Sequence, residues 1–318
     1  WRLSAGKREH GGLCGSTIMA MERLLHALLW LPARLPLRVL YLFADVFFVL
    51  LYHVVRYRRG VVDGNLAQCF PEKDLQERRR IARSFYRNFA DYIVETVKLL
   101  HIGDDEIRRR MVFDNLGLLQ AHIAAGRSVA VYFGHAGNWE WAPSVTLHMQ
   151  AAGDEAARFA QVYRPLSNGA VDALMLRLRS RFGSVSLPKA TVFRSLAMWR
   201  AKGIVSVTGF MSDQKPSHGD PTVPLLFLGR PTAFISGTET LARRLGMAAI
   251  YWDMEKTSRG HYRITCRPLA DNVAETAPGE ITRSYAAMLE KTITRNPAIW
   301  LWTHKRWKHP VDPSSLLS

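Results

Sequence analysis

The chain has 318 residues, enough for one large hydrophobic core with or without a membrane-bound appendage. It carries 43 Lys and Arg against 27 Asp and Glu, so its formal net charge is +16 and an anionic partner is expected. Three widely separated cysteines argue against a disulfide framework or a Cys-x-x-Cys zinc site. The sequence also has no zinc-finger, RRM-type or basic-region pattern, so we expect no nucleic-acid partner.

The N-terminal segment divides into two predicted parts. Residues 1–20 are polar and rich in glycine, and they lack the apolar segment of a secretory signal. We therefore expect them to be a non-native or upstream tail, with Met19 or Met21 as the start. Residues 21–60 are predicted to be a membrane-anchoring helical segment, because residues 24–55 are strongly apolar.

The anchor is marginal as a membrane span. Its second half, residues 39–55, makes about 25 Å of helix at 1.5 Å per residue. That length falls just short of the hydrocarbon core of roughly 30 Å. Asp45 in the middle would cost about 2.5–3.5 kcal/mol if it faced lipid. The segment is thus a marginal span, an embedded anchor with Asp45 turned toward protein, or a helical hairpin in a soluble core.

Residues 61–318 are predicted to form one α/β domain. A long helix is expected over residues 71–102, where apolar positions recur every three or four residues. Short β-prone runs then alternate with helices, which predicts a mainly parallel central sheet flanked by helices. The predicted strands cover residues 128–133, 157–163, 184–187, 204–209, 248–253 and 261–266. The predicted helices cover residues 139–149, 169–182, 191–202, 236–245 and 282–294.

The strongest chemical signal lies where the first of these strands ends. The run Val129 to Phe133 is followed by Gly134, His135 and, five residues after the histidine, Glu140. In a parallel sheet the reactive loops gather at the carboxyl ends of the strands, where His135 is expected. A histidine held by a carboxylate can act as a general base toward an alcohol near neutral pH.

Spacing alone is weak evidence for a pair. With 11 His and 27 acids in 318 residues, a His-x4-acid match arises by chance about once (11 × 27/318), and His101 to Glu106 is a second match. Residues five apart on a continuous helix also point about 140° away from each other. His135 and Glu140 can meet only if the chain turns at Gly137 and Asn138. The alternative is that His135 stabilises the core or the loop.

We expect Asn138 to cap a helix that begins at Trp139. The amides of that first turn would face the same cavity as His135 and could hold a developing oxyanion. On this interpretation Gly137 and Asn138 belong to the substrate-binding loop.

The motif Gly-His-x-Gly-Asn-Trp-Glu at residues 134–140 resembles the lipid A biosynthesis acyltransferases, the late lauroyl- and myristoyl-type transferases of Gram-negative bacteria. The resemblance extends from about Met21 to the C-terminus and rests on several blocks in the same order. Those blocks are Tyr57-Arg58-Arg59, Asn65-Leu66, Phe70-Pro71, Arg83 to Phe89, Tyr163 to Asn168, Ser212-Asp213-Gln214, Phe227-Leu228-Gly229 and Trp300 to Lys308.

The resemblance implies a glycerolipid-acyltransferase-like fold and a membrane-bound O-acyltransferase. His135 would be the general base and Glu140 the carboxylate that orients it. The acyl donor would be the thioester of acyl-carrier protein or coenzyme A, and the acceptor a hydroxyl of a lipid A precursor or related glycolipid. Neither a metal nor a bound cofactor is expected. The enzyme would act at the inner membrane, with its catalytic domain facing the cytoplasm and anionic membrane as a further partner.

Two further residues follow predicted strands on the edge that carries His135. Arg164 could bind a phosphate, the thioester carbonyl or the phosphopantetheine of the carrier; a surface ion pair is the alternative. Asp213 could be a second carboxylate near His135; a turn or helix-capping aspartate is the alternative. The stretch 224–230 is expected to be an apolar loop that lines an acyl tunnel or belongs to the core.

Two other functions remain open from the sequence. One is acyl transfer to a lysophospholipid or another glycolipid, which would use the same histidine chemistry. The other is a non-catalytic basic protein that binds anionic membrane, in which His135 and Glu140 would be incidental.

Overall fold

The computed structural model describes residues 10–151, 157–308, 311–312 and 314. Residues 1–9 of the predicted tail lie outside the described residues, and its remainder belongs to the first helix. The described helices are α1 (His10–Arg34), α2 (Leu37–Val49), α3 (Arg59–Cys69), α4 (Leu75–Lys98), α5 (Asp104–Arg110), α6 (Gly117–Ala124), α7 (Val145–Ala151), α8 (Gly169–Arg179), α9 (Val192–Ala201), α10 (Gly237–Leu245) and α11 (Glu280–Arg295). The described strands are β1 (Met111–Asp114), β2 (Val129–Phe133), β3 (Ala157–Tyr163), β4 (Val185–Pro188), β5 (Val205–Met211), β6 (Thr222–Phe227), β7 (Arg230–Ile235), β8 (Ala248–Ser258) and β9 (His261–Ala270).

The main sheet of the described chain has seven strands in the order β1-β9-β8-β2-β5-β3-β4. Strands β8, β2, β5, β3 and β4 run parallel to one another, and β9 runs antiparallel to β8. Every residue of β2 is buried because this strand has neighbours on both sides and lies between two helical layers. The predicted mainly parallel sheet is confirmed, and all six predicted strands are present.

Because β2, β3, β4 and β5 are parallel, the loops that follow them meet at one edge of the sheet. These loops begin at Gly134, Arg164, Lys189 and Ser212. The edge predicted for His135, Arg164 and Asp213 is therefore the edge on which all three lie.

The predicted apolar loop at residues 224–230 is wrong, because this stretch belongs to a separate antiparallel hairpin of β6 and β7. The hairpin turns at Leu228 and Gly229, with φ of 51° and 72°. Two-residue hairpin turns of this kind need positive φ at both central positions, and leucine is rarely found there. The residue types of the turn therefore did not predict a hairpin. Phe227, in the same stretch, belongs to the core, which was the alternative expectation.

Helix α4 is the platform for the N-terminal segment. The predicted helix over residues 71–102 begins later, at Leu75, because Asp74 caps it by accepting the Glu77 amide at 2.7 Å.

Helix α2 packs along α4 through one face. The buried positions on that face are Leu37, Leu40, Tyr41, Ala44 and Phe48.

The opposite face of α2 is apolar but exposed. Its exposed apolar residues are Val39, Leu42, Phe43, Val46, Phe47 and Val49. Leu37–Val54 is long and apolar enough to cross a membrane by length and composition, and 28% of it is buried against the protein. Asp45 does not stand alone within it, because Arg259 lies 2.7 Å from its carboxylate.

Candidate active site

The strand β2 delivers His135 to the edge of the sheet through Gly134. A Cβ on Gly134 would lie 2.5 Å from the Leu289 side chain and 3.2 Å from an oxygen of Asp213. Glycine is therefore required for a close approach between the end of β2 and the loop after β5. That approach brings together two groups that are 78 residues apart in the sequence.

The carboxylate that holds His135 is Asp213. Its Oδ1 lies 2.7 Å from Nδ1 of the ring, and its Oδ2 accepts the main-chain amide of His135 at 2.8 Å. The indole of Trp300 donates a further hydrogen bond to Oδ2 at 2.9 Å. Asp213 is 1% exposed, so these donors stabilise a charge that water does not reach.

Burial alone would raise the pKa of Asp213, but the nearby imidazole and these hydrogen bonds outweigh it and lower the pKa to about 2. An ionised Asp213 accepts the Nδ1 proton, which leaves Nε2 of His135 with its lone pair. That nitrogen lies 3.2 Å from the side-chain nitrogen of Gln214. The orientation of the ring is also fixed by Trp139, whose indole packs edge-on against it with the ring centroids 5.2 Å apart.

The expected pair of His135 and Glu140 is not formed. Glu140 instead receives two hydrogen bonds from Arg179 on α8, from Nε at 2.8 Å and from Nη2 at 2.6 Å. The hydroxyl of Tyr92 approaches the same carboxylate at 3.5 Å. A carboxylate in a side-on pair with a guanidinium is fixed by it, so Glu140 faces α8 and not the imidazole.

The helix expected from Trp139 also begins later. The chain turns from Asn138 to Trp141, forms one 3₁₀ turn over Ala142–Ser144 and enters α7 only at Val145. Asn138 accepts the Trp141 amide at 3.2 Å, so the predicted cap closes a turn. This amide is therefore already paired within the loop.

Gly137 and Asn138 shape the loop and do not line the cavity beside His135. Gly137 has φ of 64°, and a Cβ there would lie 2.8 Å from Met254. Asn138 is fully buried and donates to Glu95 on α4 at 2.7 Å. Gly137 and Asn138 were expected to contact substrate, but in the structure they fix the conformation of the loop.

A cavity of about 610 Å³ opens beside His135. Its inner wall is apolar and contains Phe133, Phe159, Val145, Val207 and Trp252. Its polar groups include His135, Gln214 and the pair of Glu140 and Arg179; Arg164, Lys189 and Lys215 lie among the loops on the same edge. Such a cavity suits a ligand with a long apolar part and a polar reacting group.

The family described as bacterial lipid A biosynthesis acyltransferase matches residues 16–309. The chain belongs to this family. It is 25% identical over 290 residues to the lipid A biosynthesis palmitoleoyltransferase of Escherichia coli (strain K12) and to the lipid A biosynthesis acyltransferase of Shigella flexneri, with 91% of each chain covered. It is also 25% identical over 292 residues to the lipid A biosynthesis lauroyltransferase of Escherichia coli (strain K12), covering 88% of this chain and 89% of that relative. The protein is therefore an acyltransferase.

In this acyltransferase Arg164 lies where the sequence predicts, in the loop after β3. It lines the cavity beside His135, is exposed, and has Nη1 3.4 Å from the hydroxyl of Ser217. Lys189, in the loop after β4, binds Asp220 at 2.7 Å. The loops on this edge therefore carry a cluster of basic groups.

Arg179 and Gln214 belong to the site but are not among the residues predicted from the sequence. Gln214 directly follows Asp213, so its position came with that residue. Arg179 lies among the arginines at positions 177, 179 and 181, a pattern that is typical of an exposed helix face. Its signal is spacing: it follows Met175 by four residues, and Met175 packs against the core.

Proposed function

We propose that this protein moves a fatty acyl chain from the thioester of acyl-carrier protein to a hydroxyl of a lipid A precursor. The observation that carries the proposal is the 2.7 Å contact between His135 and Asp213, with Nε2 of the ring beside an apolar cavity. The names of the three relatives support lipid A as the acceptor. We further propose that the enzyme works on the cytoplasmic side of the inner membrane.

His135 is the proposed general base. Its Nε2 takes the proton of the acceptor hydroxyl as the oxygen attacks the thioester carbon. The carbon–sulfur bond then breaks, and the imidazolium returns the proton to the thiolate, so the products are an ester and a free thiol. Asp213 stays ionised throughout, fixes the Nδ1–H tautomer and stabilises the imidazolium. These steps need no metal and no bound cofactor.

Acyl transfer by purified protein tests the proposal. The protein is incubated with acyl-carrier-protein thioester and lipid A precursor, and the masses of the products are measured by mass spectrometry. We expect the acceptor to gain the mass of one acyl chain, and lipid A from cells lacking the protein to lack that chain. Acylation of a lysophospholipid instead of the lipid A precursor would contradict the proposed acceptor. A thioester that stays intact would contradict enzymatic transfer altogether.

The basic loops on the active-site edge are proposed to receive the acidic carrier protein. We expect Arg164→Glu to raise KM for the acyl-carrier-protein thioester severalfold at low salt, because rim charges steer association of charged partners. The difference from wild type should shrink as salt screens the charges. The matched control is an acyl-pantetheine thioester, which carries no protein and no phosphate. An equal rise in KM for this neutral donor would contradict carrier docking at Arg164.

The exposed face of α2 is proposed to lie in the membrane. We expect wild type to stay with membranes in high salt and to require detergent for release. Full burial of a Val, Leu or Phe side chain contributes about 1.5–3 kcal/mol, and each residue of this face is 36–66% exposed and would contribute a corresponding part of it in lipid. A triple variant should therefore be released by salt alone, with release measured by sedimentation of membranes; its substitutions are Leu42→Asn, Phe43→Asn and Val46→Asn.

The control for α2 is a triple variant at exposed apolar positions elsewhere on the protein. It carries Leu75→Asn, Met198→Asn and Leu226→Asn, at positions that are 56%, 48% and 61% exposed. We expect the control to remain bound in salt. Release of both triple variants, or of neither, would contradict a membrane-embedded α2 face. Truncation near Arg56 is a poorer test, because it would also remove the core residues Leu40 and Tyr41.

A further inference from the structure

Glu140 and Arg179 form a buried pair that the proposed mechanism leaves without a role. Glu140 is 3% exposed, and the side chain of Arg179 is 18% exposed. Both residues line the cavity that contains His135. Burying a charged pair costs desolvation free energy, and the attraction between the two charges only partly offsets that cost. A pair of this kind in the wall of a substrate cavity therefore indicates a functional role.

The geometry of the pair leaves one edge of the guanidinium for a ligand. Glu140 occupies Nε and Nη2 from one side. Among the residues that the structure describes, none is hydrogen-bonded to Nη1 of Arg179. A guanidinium has five N–H donors in a rigid plane, so fixing two of them also fixes the direction of the others.

Charge decides which class of ligand suits this edge. Burial alone would lower the pKa of Arg179, but the hydrogen bonds and charge of Glu140 outweigh it and raise the pKa, so the arginine stays protonated. The carboxylate of Glu140 neutralises that charge within the pair. A phosphate would meet the carboxylate as well as the guanidinium, and the net attraction would be small. A neutral carbonyl oxygen accepts a charge-assisted hydrogen bond without that repulsion.

We propose that Arg179 binds a carbonyl oxygen of the acyl substrate through Nη1 and that Glu140 is the residue that positions it. This inference rests on the proposed function for the identity of the substrate. Carbonyl oxygens occur in the thioester and amides of the acyl donor and in the ester and amide linkages of a glycolipid acceptor. Glu140 thus acts through Arg179, and His135 is oriented by Asp213 and Trp139 without a contact to Glu140.

Binding without turnover tests the carbonyl contact on the donor side. Two non-reacting acyl-pantetheine analogues are compared, one in which a ketone replaces the thioester and one in which a thioether removes the carbonyl. We expect wild type to bind the ketone about tenfold to 100-fold more tightly, as a hydrogen bond to a charged donor provides. Arg179→Met should lose this preference. The acceptor arm measures the Kd of the lipid A precursor for the same variants.

Loss of the ketone preference assigns the carbonyl to the donor, and loss of acceptor affinity assigns it to the acceptor. If Arg179→Met keeps both the ketone preference and the wild-type affinity for the lipid A precursor, the proposal is overturned. The matched control is Arg177→Met on the same helix, because Arg177 is 58% exposed and pairs with Glu22 outside the cavity. We expect Arg177→Met to bind like wild type. Since none of these measurements needs transfer, a failure of the proposed function would show in the transfer assay and not here.

Arg179→Lys separates binding from a purely structural role. A lysine keeps the positive charge and can pair with Glu140, but it cannot also present Nη1. We expect Arg179→Lys to melt like wild type and to lose the same binding preference as Arg179→Met. A folded Arg179→Lys that keeps both the ketone preference and the wild-type affinity for the lipid A precursor would overturn the proposal.

The positioning role of Glu140 has its own signature. We expect Glu140→Ala to lose the same preference, and the double variant with Arg179→Met to be no worse than either single variant. The acid side of the pH–rate profile should stay in place in Glu140→Ala, because Glu140 does not contact His135. A shift of that limb as large as the one caused by Asp213→Ala would overturn this role.

Discussion

Replacing His135 with alanine is expected to lower acyl transfer by about 10²- to 10⁴-fold. The substitution removes the group proposed to take the proton of the acceptor hydroxyl. The fold should survive, because the main-chain amide at position 135 and the indole of Trp300 still donate to Asp213. Transfer is measured by mass spectrometry at fixed donor and acceptor concentrations, and the fold by thermal melting.

The chain provides its own control for this substitution. His101 is the second histidine that precedes an acid by five residues, but it is exposed, and its partner by spacing, Glu106, binds Arg110 at 2.9 Å. We expect His101→Ala to transfer acyl groups at the wild-type rate. A well-folded His135→Ala enzyme that transfers as fast as wild type would remove His135 from the mechanism.

The sequence was sufficient to place the reactive groups on one edge of the sheet. Strong β-prone runs separated by helices predict parallel strands, and parallel strands bring the loops after them together. His135, Arg164 and Asp213 follow three such strands, so their common edge could be predicted without any contact information. The same pattern identifies the general-base candidate, a histidine two residues after the end of a buried strand.

The partner of the histidine could not be predicted from local spacing. Asp213 reaches His135 because β2 and β5 are hydrogen-bonded neighbours, a fact that depends on strand order and not on sequence distance. Glu140 is only five residues from His135, but the turns between Asn138 and Ala142 direct it toward α8. Arg179 then holds it there. Local sequence favoured the nearer acid, and long-range packing selected the farther one.

The hydrogen-bond pattern of Asp213 predicts the second large effect. In wild type both carboxylate oxygens accept hydrogen bonds, from the ring and amide of His135 and from Trp300. An asparagine has one accepting oxygen, and its NH2 group cannot accept the Nδ1 proton. If that oxygen keeps the donors of Oδ2, the NH2 group faces Nδ1 and favours the tautomer with the proton on Nε2. The base is then blocked.

We expect Asp213→Asn to lower acyl transfer by up to about 10⁴-fold, a larger loss than Glu140→Gln causes. Asp213→Ala should retain slight activity that persists to lower pH than in wild type, because the imidazolium has lost its countercharge. Rates measured across pH for the variants and wild type test both points. A Glu140→Gln loss equal to that of Asp213→Asn would return the orienting role to Glu140.

The same carboxylate predicts how stability depends on pH. The pKa of Asp213 is about 2 in the folded protein, below the value of 3.8 for an unperturbed aspartate. Because the pKa of Asp213 is lower in the folded state than in the unfolded state, the ionised carboxylate stabilises the fold at pH values above the unfolded-state pKa. This contribution is lost as the pH falls through the folded-state pKa. The shift corresponds to about 2 kcal/mol. Wild type should therefore exceed Asp213→Asn in unfolding free energy at pH 6, and the gap should narrow between pH 4 and pH 2. Chemical denaturation in detergent at these pH values measures the gap, and a constant difference would show that the ionised Asp213 is not the source of the stability.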